Sequence, residues 1–159
     1  MKIKWDELFI SFFLFVLYIE KRNQGVFMQE VEQFLKECGV YFVATVDGDQ
    51  PRVRPFGTAN IFDGKLYIQT GKSKDVSKQI HTNAKVEVCA LDKSGSKWLR
   101  ITGKLVSDDR REAKVDMLEH YPSLKAMYSP DDDNTEVLYF KDATATFYSF
   151  AETPRTVKF

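Results

Sequence analysis

The sequence predicts an α+β fold: a small β-barrel of six to seven mostly antiparallel strands, with about three peripheral helices. Three observations lead there. Successive β-patterned runs are separated by short Asp/Gly- and Ser/Gly-rich turns, as in hairpins. Only three stretches show a helical pattern, too few for the strand–helix alternation of a parallel sheet. The chain has 159 residues, 43% apolar and 14% aromatic, which is one domain's length with material for one packed core.

The first 27 residues do not match the rest. The run 8–19, LFISFFLFVLYI, is shorter than the roughly 20 apolar residues of a membrane span. It has the length of a signal core, but Asp6 and Glu7 precede it and no small-x-small cleavage site follows. The expected organisation is therefore an apolar extension, 1–27, ahead of a domain spanning 28–159 that has no membrane association. Translation starting naturally at Met28, or a dispensable apolar helix, would each account for the extension. N-terminal sequencing of the native product checks this, and a product beginning at Met1 would remove the first version.

Residues 28–38 form an amphipathic helix pattern, with Val31, Phe34, Leu35 and Cys38 on one face and Gly39 as its stop. A hairpin follows: a β-rich run at 41–46, the turn Asp47-Gly48-Asp49, and a return strand opened by Pro51. Alternation in that strand puts Val53, Pro55, Gly57, Ala59 and Ile61 on a small apolar face expected inside the barrel. Arg52, Arg54, Phe56, Thr58 and Asn60 then share a face suited to a ligand or interface. Pro55 donates no hydrogen bond, so an edge, bulge or bend is expected there. Asp63-Gly64 turns the chain into the strand 65–70.

The loop 71–74, Gly-Lys-Ser-Lys, opens a helix expected at 74–82 with Ser73 as its cap and Val76 and Ile80 facing the body. Strands at 85–91 and 97–106 flank a Ser/Gly-rich turn. A helix to about His120 is expected from Asp109 and Glu112 at capping-box spacing. SPDDDNT, 129–135, is a polar loop, and 136–140, 143–150 and the TVKF tail are further β-patterned runs.

The formal net charge is zero, which argues against nucleic-acid binding through bulk charge. Cys38 and Cys89 make neither a CxxC pair nor a disulfide framework, which fits a reducing, cytoplasmic protein. His81 and His120 each lie near a helix end without a partner at metal spacing, and the acidic loop lacks the EF-hand pattern. No nucleophile or metal set emerges, so redox chemistry would need a bound cofactor. The loop 71–74 is the remaining feature. A helix N-terminus offers N–H groups and partial positive charge. With Lys72, Lys74 and Arg54 it would suit a phosphate monoester, although the glycine spacing of a P-loop is absent.

RVRPF, then DGKLYIQT, GKSKDVSKQI, NAKVEV and KWLRITGKLV, in that order, resemble the pyridoxamine 5′-phosphate oxidase-like FMN-binding split-barrel family. The likeness runs from about Met28 to the C-terminus, and the short nitroimidazole-reductase-like and general-stress members are nearest in pattern. The resemblance implies a split barrel and a homodimer with FMN at the subunit interface. It implies Arg54 and Lys74 at the FMN phosphate, supported by Lys72 and Ser73. Pro55, Phe56 and Gly57 would lie along the flavin, Gln69 and Thr70 beside the ring and ribityl chain, and Trp98 would approach from the second subunit. Two departures point away from vitamin B6 oxidation: Asp75 stands where a second cation would follow Lys74, and the tail AETPRTVKF lacks the substrate-binding segment. The expected activity is an FMN-dependent oxidoreductase passing electrons from NAD(P)H to a small organic substrate. A non-catalytic flavin-binding stress protein, or the same barrel holding haem or a deazaflavin, are the alternatives.

Overall fold

A computed structural model of the chain describes residues 5–159. It has eight strands in one antiparallel sheet and three α-helices among the described residues. Helix α1, Trp5–Cys38, is continuous. The expected start at Met28 is not a break in the backbone but the place where burial begins. Met28, Val31 and Leu35 enter the core, whereas Phe12, Phe13, Leu14 and Phe15 are exposed. Leu8 and Phe9, at the head of the apolar run, lie outside the residues whose side chains are described. No helix among the described residues is long and apolar enough to cross a membrane.

Strands β1 (Tyr41–Asp47) and β2 (Gln50–Phe56) form the first hairpin. β3 (Asn60–Phe62) and β4 (Lys65–Gly71) form the second, through Asp63 and Gly64, whose φ values of 49° and 69° define a tight turn. After α2 (Asp75–Thr82) come β5 (Lys85–Leu91), β6 (Lys97–Asp108), α3 (Arg111–His120), a 3₁₀ segment (Pro122–Ala126), β7 (Thr135–Ser149) and β8 (Arg155–Lys158). The strand order is β2-β1-β5-β6-β7-β4-β3, with β8 pairing β7.

Two differences in strand count have local causes. The return strand expected as one run divides into β2 and β3, because the linker 57–59 carries the chain from one end of the sheet to the other. The runs expected at 136–140 and 143–150 fuse into β7. There Asp142 takes a positive φ of 53°, opposite a register shift between Thr102 and Lys104. Such a bulge bends a strand without ending it.

The faces of β2 are the reverse of the expected ones. Val53 and Pro55 point outwards, while Arg54 and Phe56 turn inwards opposite Val43 and Tyr41. Phe56 stacks on Tyr41 at 6.2 Å, and polar groups at the barrel rim hold Arg54. β2 is an edge strand, which is where a non-donating Pro55 is tolerated.

The helix caps also differ from expectation. Lys74, not Ser73, is the N-cap of α2. At α3 the Asp108 carboxylate takes the Arg110 N–H at 3.0 Å, while Asp109 pairs with Lys72 instead of capping. The main core lies inside the barrel, from Val31 and Leu35 to Val88, Ile101 and Leu138. A smaller cluster of Tyr67, Ala113, Met117 and Val137 joins α3 to the outer side of β4 and β7.

Candidate functional site

The sheet does not close between its two ends, and the candidate site occupies that opening. β2 pairs with β1 and β3 with β4, leaving the linker 57–59 to bridge them. Thr58 ties the bridge down: its hydroxyl accepts the Gln69 N–H at 2.9 Å, and its carbonyl accepts the buried Tyr41 hydroxyl. Tyr121, just before the 3₁₀ segment, accepts from Ala59 N–H and donates to Ala59 C=O, both at 2.9 Å. α2 packs against β1 and β4, with Val76 and Ile80 buried as expected.

A cavity of about 460 Å³ results, within the range of small-molecule sites. Arg54, Pro55, Phe56, Gly57, Gln69, Thr70 and Lys74 all line it. Lys72, Ser73 and Trp98 do not. Lys72 Nζ reaches Asp109 at 2.7 Å, the Ser73 N–H donates to Asn134 at 3.0 Å, and Trp98 stacks flat on Tyr148 at 5.1 Å elsewhere on the sheet. Thr58, from the strand face expected to suit a ligand, lines it as well, whereas the remaining wall, Tyr121, Ser123, Leu124, Met127 and Tyr128, has no signal in the sequence beyond Pro122, which marks a helix end and not what the following turn covers.

One end of the cavity is cationic. Arg54 donates to Thr45 Oγ1 at 2.6 Å, Val43 C=O at 3.1 Å and Gln79 Oε1 at 2.7 Å. All of these acceptors are neutral. Among the described residues neither Arg54 nor Lys74 forms an ion pair, whereas Lys72, Lys78 and Arg52 each have a carboxylate. Burial, and then the charge of Arg52, presses the Arg54 guanidinium below its ordinary pKa, the direction for a cation without a counter-charge. The amide cradle is smaller than the sequence implied, because Asn134 takes the N–H groups of Lys72 and Ser73. Among the described residues Asp75 and Val76 keep N–H groups at the helix start without a backbone acceptor.

Elsewhere the cavity wall carries a different polar group. Gln69 is buried at 6% exposure, and neither its Oε1 nor its Nε2 has a hydrogen-bond partner among the described residues. Leaving such groups unmade costs about 1–3 kcal/mol each, so a buried amide without partners needs an explanation. Among the described residues no His, Cys, Asp or Glu lines the cavity. A second cavity of about 370 Å³, between α1 and β7–β8, has the wrong electrostatics for an anion. Glu30, Glu37 and Glu152 line it, and its Arg155 is already paired with Glu30.

The comparisons with known proteins agree with this architecture. The pattern of the pyridoxamine 5′-phosphate oxidase family matches residues 27–148. A NimC/NimA family protein from Clostridium acetobutylicum is 45% identical; the match covers 87% of this chain and 96% of that one with a TM-score of 0.84. A pyridoxamine 5′-phosphate oxidase-related, FMN-binding protein from Nostoc punctiforme shares the fold at 12% identity over 84% and 94% of the two chains, TM-score 0.58. So does a haem-binding protein from Mycobacterium smegmatis, at 10% identity over 79% and 57%, TM-score 0.62. No curated protein matches the sequence. The family pattern spans most of the chain and the Clostridium protein nearly all of it, so this chain belongs to the pyridoxamine 5′-phosphate oxidase family, alongside its NimC/NimA members.

Proposed function

We propose that the chain is an FMN-binding oxidoreductase that works as a homodimer on a small organic acceptor, with NAD(P)H as electron donor. The observation that carries this reading is a single cavity lined both by two uncompensated cations, Arg54 and Lys74, and by a buried amide without partners, Gln69. A phosphate monoester matches the first feature. The pyrimidine edge of a flavin matches the second, since it presents an N–H donor flanked by carbonyl acceptors and a carboxamide offers both complements. The chemistry supplied by bound FMN is electron transfer from a reduced nicotinamide to the acceptor. The protein's part is to anchor, orient and desolvate. Arg54 and Lys74 would hold the phosphate, Gln69 the ring edge, and Phe56 and Gly57 one wall.

Haem fits the same residues poorly. It wants an axial ligand, and the imidazoles are engaged elsewhere: His81 Nε2 lies 2.7 Å from Glu136 and His120 Nδ1 2.8 Å from Asp116 C=O. A deazaflavin shares the pyrimidine edge, so Gln69 does not distinguish it from FMN; the absorption spectrum of the bound chromophore does.

The dimer reading rests on the outer sheet face. Strand register aligns Val53, Pro55, Phe42, Cys89, Leu91, Trp98 and Tyr148 on it, with Val53 67%, Leu91 55% and Phe42 49% exposed. The same face carries the Glu87–Arg100 ion pair, and exposed apolar side chains gathered around such a polar pair suit an interface. Pro55 lies on this face and also lines the cavity, so a second copy seated there would border the site and present its own Trp98. Phe42→Asp should yield a monomer by light scattering with weakened flavin binding; a variant that stays dimeric would remove this face as the interface. The two free cysteines support a reducing, cytoplasmic setting.

Protein purified without added cofactor should be yellow and oxidise NAD(P)H with a nitroaromatic or quinone. A yellow protein inert across acceptors would be a flavin-binding protein without turnover, and a colourless protein that takes up no FMN would end the flavin reading. Arg54→Ala and Lys74→Ala should each weaken FMN binding by about ten- to a hundredfold, the loss of one charge-assisted contact, while leaving the barrel folded.

A further inference from the structure

The acidic loop 129–135 sits against the loop that begins α2, and its contacts there are specific. The Asp132 carboxylate accepts three backbone N–H groups: Ser129 at 2.7 Å, Asn134 at 3.0 Å and Thr135 at 2.5 Å. These bonds, that from Thr135 foremost, push its pKa down to about 2. So ordered, the loop presents Asn134 to residues 71–74. The Asn134 carbonyl accepts the Lys72 N–H at 2.7 Å and its Oδ1 accepts the Ser73 N–H at 3.0 Å. The next amide, Lys74 N–H, closes a turn onto Gly71 C=O at 3.0 Å. A Cβ on Gly71 would lie 3.1 Å from Asn134 Nδ2, 3.2 Å from its Oδ1 and 3.3 Å from Tyr128. Tyr128 lines the cavity, and Lys74 Nζ lies 5.9 Å from its ring centre.

We infer that Asn134 is a positioning residue for the anion end of the cavity. It occupies the two amides preceding Lys74, fixes the turn from which the Lys74 side chain departs, and would be crowded by any side chain at position 71. Asn134 does not line the cavity, so it acts through Lys74 and not by touching a ligand. Of the acidic residues around it, Asp132 builds this bracket through its three backbone bonds, while Asp131 pairs with Arg111. The inference rests on the phosphate reading above and names what holds that phosphate site in shape.

The test compares FMN with riboflavin, which lacks the phosphate, in titrations of the parent chain, Lys74→Ala, Asn134→Ala and Gly71→Ala. Asn134→Ala should lower FMN affinity about tenfold, the scale of one weakened charge-assisted contact, and riboflavin affinity less than about twofold. Gly71→Ala reaches the same bracket by displacing Asn134 and should show the same selective loss, so the inference stays testable if one variant fails to fold. Equal losses for both ligands in the variants that fold would mean a merely structural role and overturn it. An unchanged FMN-to-riboflavin ratio in the Asn134 and Gly71 variants, with a lowered ratio in Lys74→Ala, would overturn this inference and leave the phosphate reading standing. An unchanged ratio in Lys74→Ala would overturn the phosphate reading, and this inference with it.

Discussion

Tyr67 and Gln69 stand two residues apart on β4, on the same face of the sheet, and both are buried. Their polar groups have opposite fates. The Tyr67 hydroxyl donates to Asp108 at 2.7 Å and accepts from Arg110 at 3.3 Å. Arg110 in turn bonds Asp108 at 2.8 Å and Asp63 at 3.1 Å and lies over the Phe62 ring. Every charge in that cluster has a partner from the same chain. Gln69 has none for either atom of its amide. A closed polar network fixes structure, because each member satisfies another. An open one, beside a cavity lined by unpaired cations, leaves donors and acceptors free for a ligand, which is the reading proposed above.

The contrast breaks most sharply at Asp108. Asp108→Ala leaves the Tyr67 hydroxyl with the long Arg110 contact and takes the acceptor from the backbone N–H of Arg110, the N-cap residue of α3. It should cost about 2–4 kcal/mol of stability, read from the denaturant midpoint, with little change in flavin affinity of the folded fraction. The pH dependence has a defined sign. Burial pushes the Asp108 pKa up, but hydrogen bonds from Arg110 and Tyr67 outweigh it and hold the carboxyl down at about 2, against about 3.9 in an unfolded chain. A depressed folded-state value stabilises above the unfolded one, so the contribution is full above about pH 4 and lost between about pH 4 and 2. Its size is about 2.5 kcal/mol. Asp108→Asn should flatten that limb of the stability–pH curve; an unchanged limb would assign acid unfolding to other carboxylates.

Gln69 should move stability the other way. Gln69→Leu replaces an amide without partners by an apolar group of similar size. The ligand-free protein should gain about 1–2 kcal/mol, and flavin affinity should fall. A variant that loses stability would mean the amide is satisfied in the ligand-free protein, which removes the reason for assigning it to a ligand.

Local signals in the sequence carried much of this architecture. The hairpins at Asp47–Asp49 and Asp63-Gly64, the stop at Gly39 and the anchors Val76 and Ile80 depend on near neighbours in the chain, and each is found where expected. What the sequence hid depends on distant partners. The facing of β2 follows from Thr45 and Gln79 receiving Arg54 across the barrel rim. The bond from Asp108 to the backbone N–H of Arg110 at the start of α3 depends on Tyr67 and the Arg110 side chain, which hold its carboxylate in place. The wall from Tyr121 to Tyr128 was invisible because a 3₁₀ turn has no periodicity, and its place is set by the Tyr121–Ala59 bonds, 62 residues apart in sequence.

The smallest effect separates two lysines that the sequence presents as equivalents. Lys72 and Lys74 flank Ser73, and either could hold an anion by proximity alone. Lys72 is committed to Asp109, in an exposed pair whose side chains are 39% and 72% accessible. The hydrogen bond and charge of Asp109 raise its pKa. Such pairs contribute about 0–1 kcal/mol, so Lys72→Ala should barely move the unfolding midpoint. It should also leave FMN affinity within about twofold, because its ammonium is already neutralised outside the cavity, whereas Lys74→Ala should lower that affinity at least about tenfold. Equal losses from the two substitutions would mean that ligand binding pulls Lys72 off Asp109. The anion site would then be assembled from the whole loop, not from the single cation that the ligand-free geometry leaves unpaired there.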